Sequence, residues 1–164
     1  MRAAVITVST SRSAGNGEDA SGPALASLLE RIGFEVIATE VIPDERELIA
    51  GRLRFFADAE GCALVATTGG TGLSPDDVTP EATRDAIDRE APGIAEAMRL
   101  ASREHVPDHW FLSRGVAGAR GSTLVVNFPG NPNAIEQAGA AIAGGLPHAV
   151  ALLRREPCEP GPHA

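Results

Sequence analysis

Residues 62–83 join a glycine-rich turn to a pair of acidic side chains. The turn, residues 69–72, reads Gly-Gly-Thr-Gly, and Asp76 and Asp77 follow it closely. Glycines in a turn let the backbone approach a ligand and direct successive N–H groups at an anion. Carboxylates beside such a turn are typical of sites where a phosphate meets a magnesium ion. The alternative is a tight turn with solvated acids, because turn geometry alone can account for glycine.

A second candidate anion site begins at residue 129, where an apolar segment runs into the sequence Pro-Gly-Asn-Pro. A helix that starts there would expose N–H groups and the positive end of its dipole, although a plain turn at the edge of a sheet fits these residues equally well. Ser113 and Arg114 offer a hydroxyl and a fixed positive charge. Glu96 and Arg99 lie three residues apart on one face of a predicted helix, where an ion pair at the surface is the simpler interpretation.

Composition restricts the chemistry that this chain of 164 residues can perform. All fourteen basic residues are arginine, and the absence of lysine and tyrosine excludes Schiff-base chemistry, a Walker A loop and a tyrosine acid or base. Arginine must therefore supply any side-chain contact to phosphate. The net charge of −8 argues against a nucleic-acid partner. No apolar run is long enough for a membrane span or a signal peptide, so we expect no membrane association.

The cysteines and histidines indicate neither a disulfide nor a metal centre. Cys62 heads a predicted buried strand and Cys158 lies in a proline-rich tail, which favours a reduced, cytoplasmic protein. His105 and His109 are four residues apart, but Pro107 interrupts the helix that would align them. We therefore expect no histidine metal site.

Apolar runs and helical periodicities alternate along the chain. This alternation predicts an α/β domain with a mainly parallel sheet and helices on both faces, spanning residues 1–155 and followed by a flexible tail, residues 156–164. Thr79 and Pro80 are interpreted as the N-cap and the first residue of one helix. The predicted strands are residues 3–8, 34–42, 62–67 and 123–128, and the predicted helices are residues 21–33, 45–60, 79–89, 92–104 and a long one from the 129–132 turn to residue 155.

Ligands on such sheets bind beyond the carboxyl ends of the strands. We therefore expect four loops at one edge of the sheet, residues 9–19, 43–44, 69–77 and 129–132. Asp44 and Asp77 are the acids that stand out in these loops, and we expect them to face one another there.

A dinucleotide site is a second interpretation of the first loop. Gly15, Gly17 and Ala20 fit the pattern G-x-G-x-x-A, and Glu40 lies near the end of the next strand, where a ribose-binding acid would lie. The first glycine should follow its strand directly, however, and six loop residues intervene. A nicotinamide-dependent enzyme is therefore the more remote alternative, and a serine hydrolase lacks its G-x-S-x-G elbow.

Four segments in a consistent order resemble one family. Over residues 3–153 the chain is similar to the molybdopterin-binding proteins of molybdenum cofactor biosynthesis, of the MogA and MoaB type, which are the bacterial counterparts of the gephyrin G domain. The segments are TTGGTGLSPDDVTPEAT at residues 67–83, APG and EAMR within residues 91–99, LSRGVAGARG at residues 112–121 and NFPGNPNAI at residues 127–135.

This resemblance implies a three-layer α/β/α sandwich and a molybdopterin adenylyltransferase. In that reaction the terminal phosphate of molybdopterin attacks the α-phosphate of Mg-ATP and pyrophosphate leaves. Phosphoryl-type transfer depends mostly on positioning and charge neutralisation, so it needs no lysine. A MoaB-like protein that binds molybdopterin without turnover is the alternative. The resemblance also implies a homo-oligomer, a trimer or a hexamer, and handover of the product to a molybdate-insertion enzyme.

The resemblance assigns roles residue by residue. Asp44 and Asp77 match the two essential acids and would position Mg²⁺ through ATP, whereas Asp76 falls where the family varies. The segment at residues 9–12, Ser-Thr-Ser-Arg, lacks the acid that the family commonly has after its first strand, while Asp19 matches a later D-x-S-G element. Phosphate binding is assigned to Gly69, Gly70, Thr71, Gly72 and Thr79, and molybdopterin binding to Ser9, Ser11, Glu96, Ser113, Arg114, Pro129, Gly130, Asn131 and Pro132.

Overall fold

A computed structural model describes residues 1–157; residues 158–164, with Cys158 and most of the predicted tail, lie outside the described part. The strands are β1 (Arg2–Val8), β2 (Glu35–Ile42), β3 (Leu64–Thr68), β4 (Arg89–Glu90), β5 (Ala117–Arg120) and β6 (Thr123–Phe128). The helices are α1 (Thr10–Ser13), α2 (Ser21–Arg31), α3 (Arg46–Arg54), α4 (Thr79–Ala86), α5 (Pro92–Ser102), α6 (Pro132–Ile142) and α7 (Leu146–Arg154). A π-helical turn, Phe55–Ala59, continues α3, and a 3-10 turn covers Trp110–Leu112.

The six strands form one sheet in the order β2-β1-β3-β6-β5-β4. The four strands that the sequence predicted, β1, β2, β3 and β6, are parallel to one another, and β5 and β4 extend the sheet as an antiparallel edge. This confirms the predicted mainly parallel sheet. Because the carboxyl ends of parallel strands meet at one edge, the four loops that follow these strands are brought together.

Helices cover both faces of the sheet and make the three-layer sandwich. Successive side chains of β1 alternate between the two apolar layers, with Val5 in one and Ile6 in the other, as the pleat of a strand requires. The first layer contains residues of α2, α5, α6 and α7, and the second contains residues of α3 and α4. Cys62 lies fully buried in the second layer, where burial raises the pKa of its thiol. No helix among residues 1–157 has the length and apolarity that crossing a bilayer requires.

Three predicted elements differ from the structure. The predicted helix over residues 79–89 ends at Ala86, because Arg89–Glu90 pairs with β5 instead. The predicted long helix to residue 155 is divided into α6 and α7, with Gly144 and Gly145 between them, where helix propensity is low. The predicted polar loop after β1 contains the short helix α1. The side chain of Ser9 caps that helix by accepting a hydrogen bond from the N–H of Arg12 at 3.4 Å.

Candidate functional site

The loops that follow β1, β2, β3 and β6 contact one another at the carboxyl edge of the sheet. The N–H of Ser9 donates to the carbonyl of Ile42 at 2.8 Å and joins the first two loops. The hydroxyl of Thr68 donates to the carbonyl of Pro129 at 2.7 Å and joins the last two. The carbonyl oxygen of Val8, at the end of β1, lies against Gly69 after β3 and joins the two pairs. The expected meeting of the four loops is therefore present.

The turn at residues 69–72, which we call the glycine loop, needs glycine for two reasons. Gly69 and Gly70 have φ angles of +92° and +63°, a region that favours glycine. A Cβ at Gly69 would collide with the carbonyl oxygen of Val8, and a Cβ at Gly70 would collide with the hydroxyl of Thr79 and stand 3.0 Å from Oδ1 of Asp44. The neighbouring elements thus leave no space for side chains at these positions.

Thr79 anchors the glycine loop through two hydrogen bonds to its carbonyls. Its N–H donates to the carbonyl of Gly70 at 3.1 Å, and its hydroxyl donates to the carbonyl of Gly69 at 3.0 Å. The side chain is fully buried and does not cap α4; Val78 occupies the N-cap position. The prediction that Thr79 is an N-cap is wrong, because its hydroxyl donates to the loop instead of accepting from the helix.

Asp44 lies beside the glycine loop at the end of β2. Its Oδ2 accepts hydrogen bonds from the N–H of Thr10 at 2.7 Å and from the Thr10 hydroxyl at 2.8 Å. The N–H of Asp44 donates back to the same hydroxyl oxygen at 3.0 Å. Oδ1 stands next to Gly70. The carboxylate is therefore held by α1 on one side and approaches the loop with its other oxygen.

Asp77 lies at the other end of the same loop. Its Oδ2 accepts from the N–H of Ser74 at 2.9 Å and is 2.8 Å from the point where a Cβ at Gly72 would stand. Asp76 is exposed, and its side chain makes no such contact with the glycines of the loop. The structure thus brings Asp44 and Asp77, 33 residues apart in sequence, to the two ends of one turn.

The two acids share an electrostatic feature. Their side chains accept only from neutral donors, and no arginine of the described part of the chain forms an ion pair with either. Glu81 and Asp85, in contrast, are each paired with an arginine. The negative charge of Asp44 and Asp77 is therefore available to a cation.

Arg114 uses its guanidinium to hold the glycine loop. Nε donates to the carbonyl of Gly72 at 2.7 Å, Nη2 donates to the carbonyl of Asp77 at 2.6 Å, and Nη1 forms an ion pair with Glu81. The N–H of Arg114 also donates to the carbonyl of Thr71 at 2.9 Å. All three guanidinium nitrogens thus have protein acceptors, which makes Arg114 a support of the loop.

Glu81 is a residue that the sequence did not single out. Its hydrogen bond from Arg114 lowers the pKa of its carboxyl, so the pair is ionised at neutral pH. An acid in the first turn of a helix is ordinary because it complements the helix dipole. No local pattern indicated that this one pairs with Arg114, which lies 33 residues further along the chain.

Asp19 holds the loop between β1 and α2. Its carboxylate accepts from the Thr7 hydroxyl at 2.7 Å, from the Ser21 hydroxyl at 3.0 Å, and from the N–H groups of Ser21 and Gly22 at 3.1 Å each. Burial by itself would raise the pKa of Asp19, but these hydrogen bonds outweigh it and lower the pKa below its ordinary value. The D-x-S-G element is therefore a support for the loop that carries Thr10.

Of the candidate molybdopterin residues, Ser113 and Arg114 line one cavity, and Arg114 also lines a second. A cavity of about 320 Å³ is lined by Arg84, Arg99, Ser113 and Arg114, among others. A second cavity, of about 360 Å³, is lined by Asp77, Glu81 and Arg114, with residues 73–75. A smaller cavity of about 40 Å³ reaches Ser113 and Pro129.

The remaining candidates are dispersed along the edge. The Asn131 side chain caps α6 by accepting from the N–H of Asn133 at 2.9 Å, and Pro132 begins that helix. Gly130 packs against Gly69, with 3.4 Å between its Cβ position and the Gly69 Cα. The hydroxyls of Ser9 and Ser11 are 3.3 Å apart in the loop after β1.

Glu96 is exposed on α5. Arg99 donates to the carbonyl of Gly115 at 3.0 Å and forms no ion pair with Glu96 in the described residues. The predicted surface pair is therefore wrong, because Arg99 binds a backbone carbonyl in the loop before β5 instead.

The dinucleotide interpretation finds little support in the geometry. Gly15 and Gly17 follow α1 in an exposed loop, and nothing lies within 4 Å of a Cβ built at either. The Glu40 carboxylate pairs with Arg52 of α3, so it is already occupied by a cation.

Comparison with known proteins identifies similar chains over most of this sequence. The family model for a probable molybdopterin binding domain matches residues 4–148. A molybdopterin adenylyltransferase of Helicobacter pylori is 38% identical over 151 residues, which cover 91% of this chain and 85% of that protein. The molybdenum cofactor synthesis protein cinnamon of Drosophila melanogaster is 39% identical over 137 residues, but the match covers 83% of this chain and only 23% of that much longer protein.

A solved structure has a closely similar fold. The crystal structure of the molybdopterin biosynthesis enzyme MoaB from Thermus thermophilus superposes with a TM-score of 0.89 at 45% identity, covering 96% of this chain and 99% of that one.

Proposed function

This chain belongs to the molybdopterin-binding domain family, and on that premise we propose that it is a molybdopterin adenylyltransferase. It would transfer AMP from Mg-ATP to the terminal phosphate of molybdopterin and release pyrophosphate. The observation that carries the proposal is the position of Asp44 and Asp77, two acids without arginine partners at the two ends of one glycine loop. The similarity to adenylyltransferases over 91% of the chain supports it.

The glycine loop is suited to a polyphosphate. In the described part of the chain, the N–H groups of Gly70, Thr71 and Gly72 donate to no protein acceptor. Free amides on a turn of this kind are the donors that bind phosphate oxygens in a chain that has no lysine. Thr79 and Arg114 hold the loop carbonyls, so the loop is organised before the ligand arrives and little ordering entropy is lost on binding.

Asp44 and Asp77 fit a magnesium ion that arrives with ATP. No group of three or more His, Cys, Asp or Glu side chains within residues 1–157 could hold a metal ion by itself. Mg²⁺ commonly binds through one or two carboxylates together with substrate phosphates and water. Oδ1 of each acid accepts no hydrogen bond from the described residues, so each has an oxygen to offer. When bound, the ion would neutralise charge on the phosphates.

The pterin would occupy the cavities on either side of Arg114. Ser113 lines the cavity of about 320 Å³, which Arg84 and Arg99 also line. The further candidates along the same edge are Ser9, Ser11, Glu96, Pro129, Gly130, Asn131 and Pro132. Arg114 would act through the glycine loop and not by direct contact. These residues would hold the reacting phosphates in position, and such transfers depend mostly on positioning.

The test is adenylylation by the purified protein. We expect molybdopterin, ATP and Mg²⁺ to yield adenylylated molybdopterin, detected by mass spectrometry, together with one pyrophosphate per product. Omission of Mg²⁺ is the matched control. A MoaB-like binding protein is the second candidate, because the Thermus structure carries the MoaB name. It would bind molybdopterin and form no product that depends on ATP.

We also propose a cytoplasmic homo-oligomer, a trimer or a hexamer, that passes its product to a molybdate-insertion enzyme. Exposed apolar side chains support an oligomer, since Leu100, Phe111 and Leu152 have 59%, 58% and 62% of their surface exposed in the single chain. Light scattering measures the mass in solution, and a strict monomer would contradict this part of the proposal.

A further inference from the structure

We propose that Thr10 is the positioning residue of Asp44. Its hydroxyl and its N–H both bind Oδ2 of Asp44, which orients the carboxylate so that Oδ1 faces the glycine loop. Thr10 acts through Asp44 and makes no contact with substrate. The inference rests on the proposed function in one respect: Asp44 must take part in binding Mg-ATP.

The contacts form a closed ring between the two residues. The Thr10 hydroxyl donates to Oδ2 of Asp44 at 2.8 Å and accepts from the N–H of Asp44 at 3.0 Å. The N–H of Thr10 adds a second donor to Oδ2 at 2.7 Å. The hydroxyl therefore has one orientation, and Oδ2 has two donors. A carboxylate bound in this way cannot exchange its two oxygens without breaking both hydrogen bonds.

The backbone places Thr10 where this ring can form. Thr10 is the first residue of α1, and Ser9 before it is joined to the end of β2 by the hydrogen bond to Ile42. The oxygen that remains, Oδ1, lies on the side of Gly70. Thr10 thus determines which carboxylate oxygen faces the candidate phosphate site.

Neutral donors suit this task. An arginine in the place of Thr10 would orient Asp44 equally well but would compensate its charge, as Arg114 does for Glu81. Thr10 orients the carboxylate and leaves the negative charge available to a cation. Outer-shell partners of this kind orient carboxylates that bind metals, and their loss costs about ten- to a hundredfold in metal affinity or activity.

The test compares Thr10→Val, Thr10→Ser and Ser13→Ala. Valine removes the hydroxyl, serine retains it, and Ser13→Ala perturbs the same short helix at a hydroxyl that donates only to the Thr10 carbonyl. We expect Thr10→Val to weaken Mg-ATP binding in calorimetry by about tenfold or more and to lower kcat similarly, with KM for molybdopterin nearly unchanged. Thr10→Ser should retain both the Mg-ATP affinity and kcat of the wild type, and so should Ser13→Ala.

A double-mutant cycle separates positioning from folding. In an Asp44→Asn background, Thr10→Val should cause no further loss of Mg-ATP binding, because both changes act on one carboxylate. If valine prevents folding, Thr10→Ala removes the same hydroxyl with a smaller side chain and is measured in the same way. The inference would be overturned if wild type and the variant without the hydroxyl bound Mg-ATP equally. It would also be overturned if the losses in the cycle were additive, or if Thr10→Ser bound Mg-ATP as weakly as Thr10→Val. A wild type that binds Mg-ATP and forms no product counts only against the proposed reaction.

Discussion

The carboxylate of Asp44 lies so close to Gly70 that no side chain fits between them. Oδ1 is 3.0 Å from the point where a Cβ at position 70 would stand, and the Thr79 hydroxyl closes the space from the other side. Gly70 also has a φ of +63°. The loop after β3 and the acid after β2 therefore meet through a glycine that both the backbone conformation and the available space require.

Gly70→Ala should be more harmful than Gly61→Ala. Gly61 has a φ of +60°, and nothing lies within 4 Å of a Cβ there, so it reports the backbone strain alone, about 1–2 kcal/mol of unfolding free energy. Gly70→Ala has the same strain and must also displace Thr79 or Asp44. We expect a larger loss in urea denaturation and at least about a tenfold loss of adenylylation for Gly70→Ala only. Equal effects of the two substitutions would contradict the close approach.

Asp44→Asn and Asp77→Asn should each lower the rate of adenylylation by about a hundredfold or more, as expected when a group that stabilises transition-state charge is lost. Asparagine preserves the shape of each side chain, so the melting temperature should change little. Asp76→Asn is the matched control, because Asp76 is exposed beside Asp77 and does not approach the loop. Rates within a few-fold of wild type for the first two variants would show that the catalytic assignment is wrong.

Arg114→Lys should destabilise the protein although it preserves the charge. Lysine cannot reproduce the three separate donors that bind Gly72, Asp77 and Glu81. We expect a loss of about 1.5–3 kcal/mol in unfolding free energy and a lower kcat, because the glycine loop loses its support. Arg84→Lys, at the exposed pair with Glu90, should change stability by less than about 1 kcal/mol. If both substitutions cost the same, Arg114 does not hold the loop.

Asp19 should make stability depend on pH in the acid range. Burial alone would raise its pKa, but the hydrogen bonds from Thr7, Gly22 and Ser21 outweigh burial and lower the pKa below that of an ordinary aspartate. Because the folded pKa lies below the unfolded one, this contribution is fully present above the unfolded pKa and is lost as the pH falls through the folded pKa. Asp19→Asn should therefore be less stable than wild type at about pH 7, and the difference should shrink towards about pH 3.

Urea denaturation at a series of pH values measures this dependence. Glu18→Gln removes the same charge from an exposed neighbouring position and serves as the control. The linkage would be refuted if the free energies of unfolding of wild type and Asp19→Asn differed by the same amount at every pH.

The sequence alone determined the parallel part of the sheet and the loops that carry the candidate site. β1, β3 and β6 are short, mostly apolar runs of strand length, and α2 and α5 have clear helical periodicity, so local composition suffices to identify them. The alternation of strands and helices then places the carboxyl ends together. Asp44 and the glycine loop could be assigned to one edge on these grounds.

Tertiary structure decided β5 and the partners of Arg114. The segment Ala117–Arg120 has no strand signature, yet it pairs with β6, and Gly118 packs so closely against Ile87 that a Cβ would collide with it. From the sequence alone, Arg114 is predicted to bind the substrate. In the structure its guanidinium instead binds Glu81 and the carbonyls of Gly72 and Asp77. The partners of Arg114 lie 33 to 42 residues away in the chain, and Ile87 is similarly distant from Gly118, so no local pattern of residues specifies these contacts.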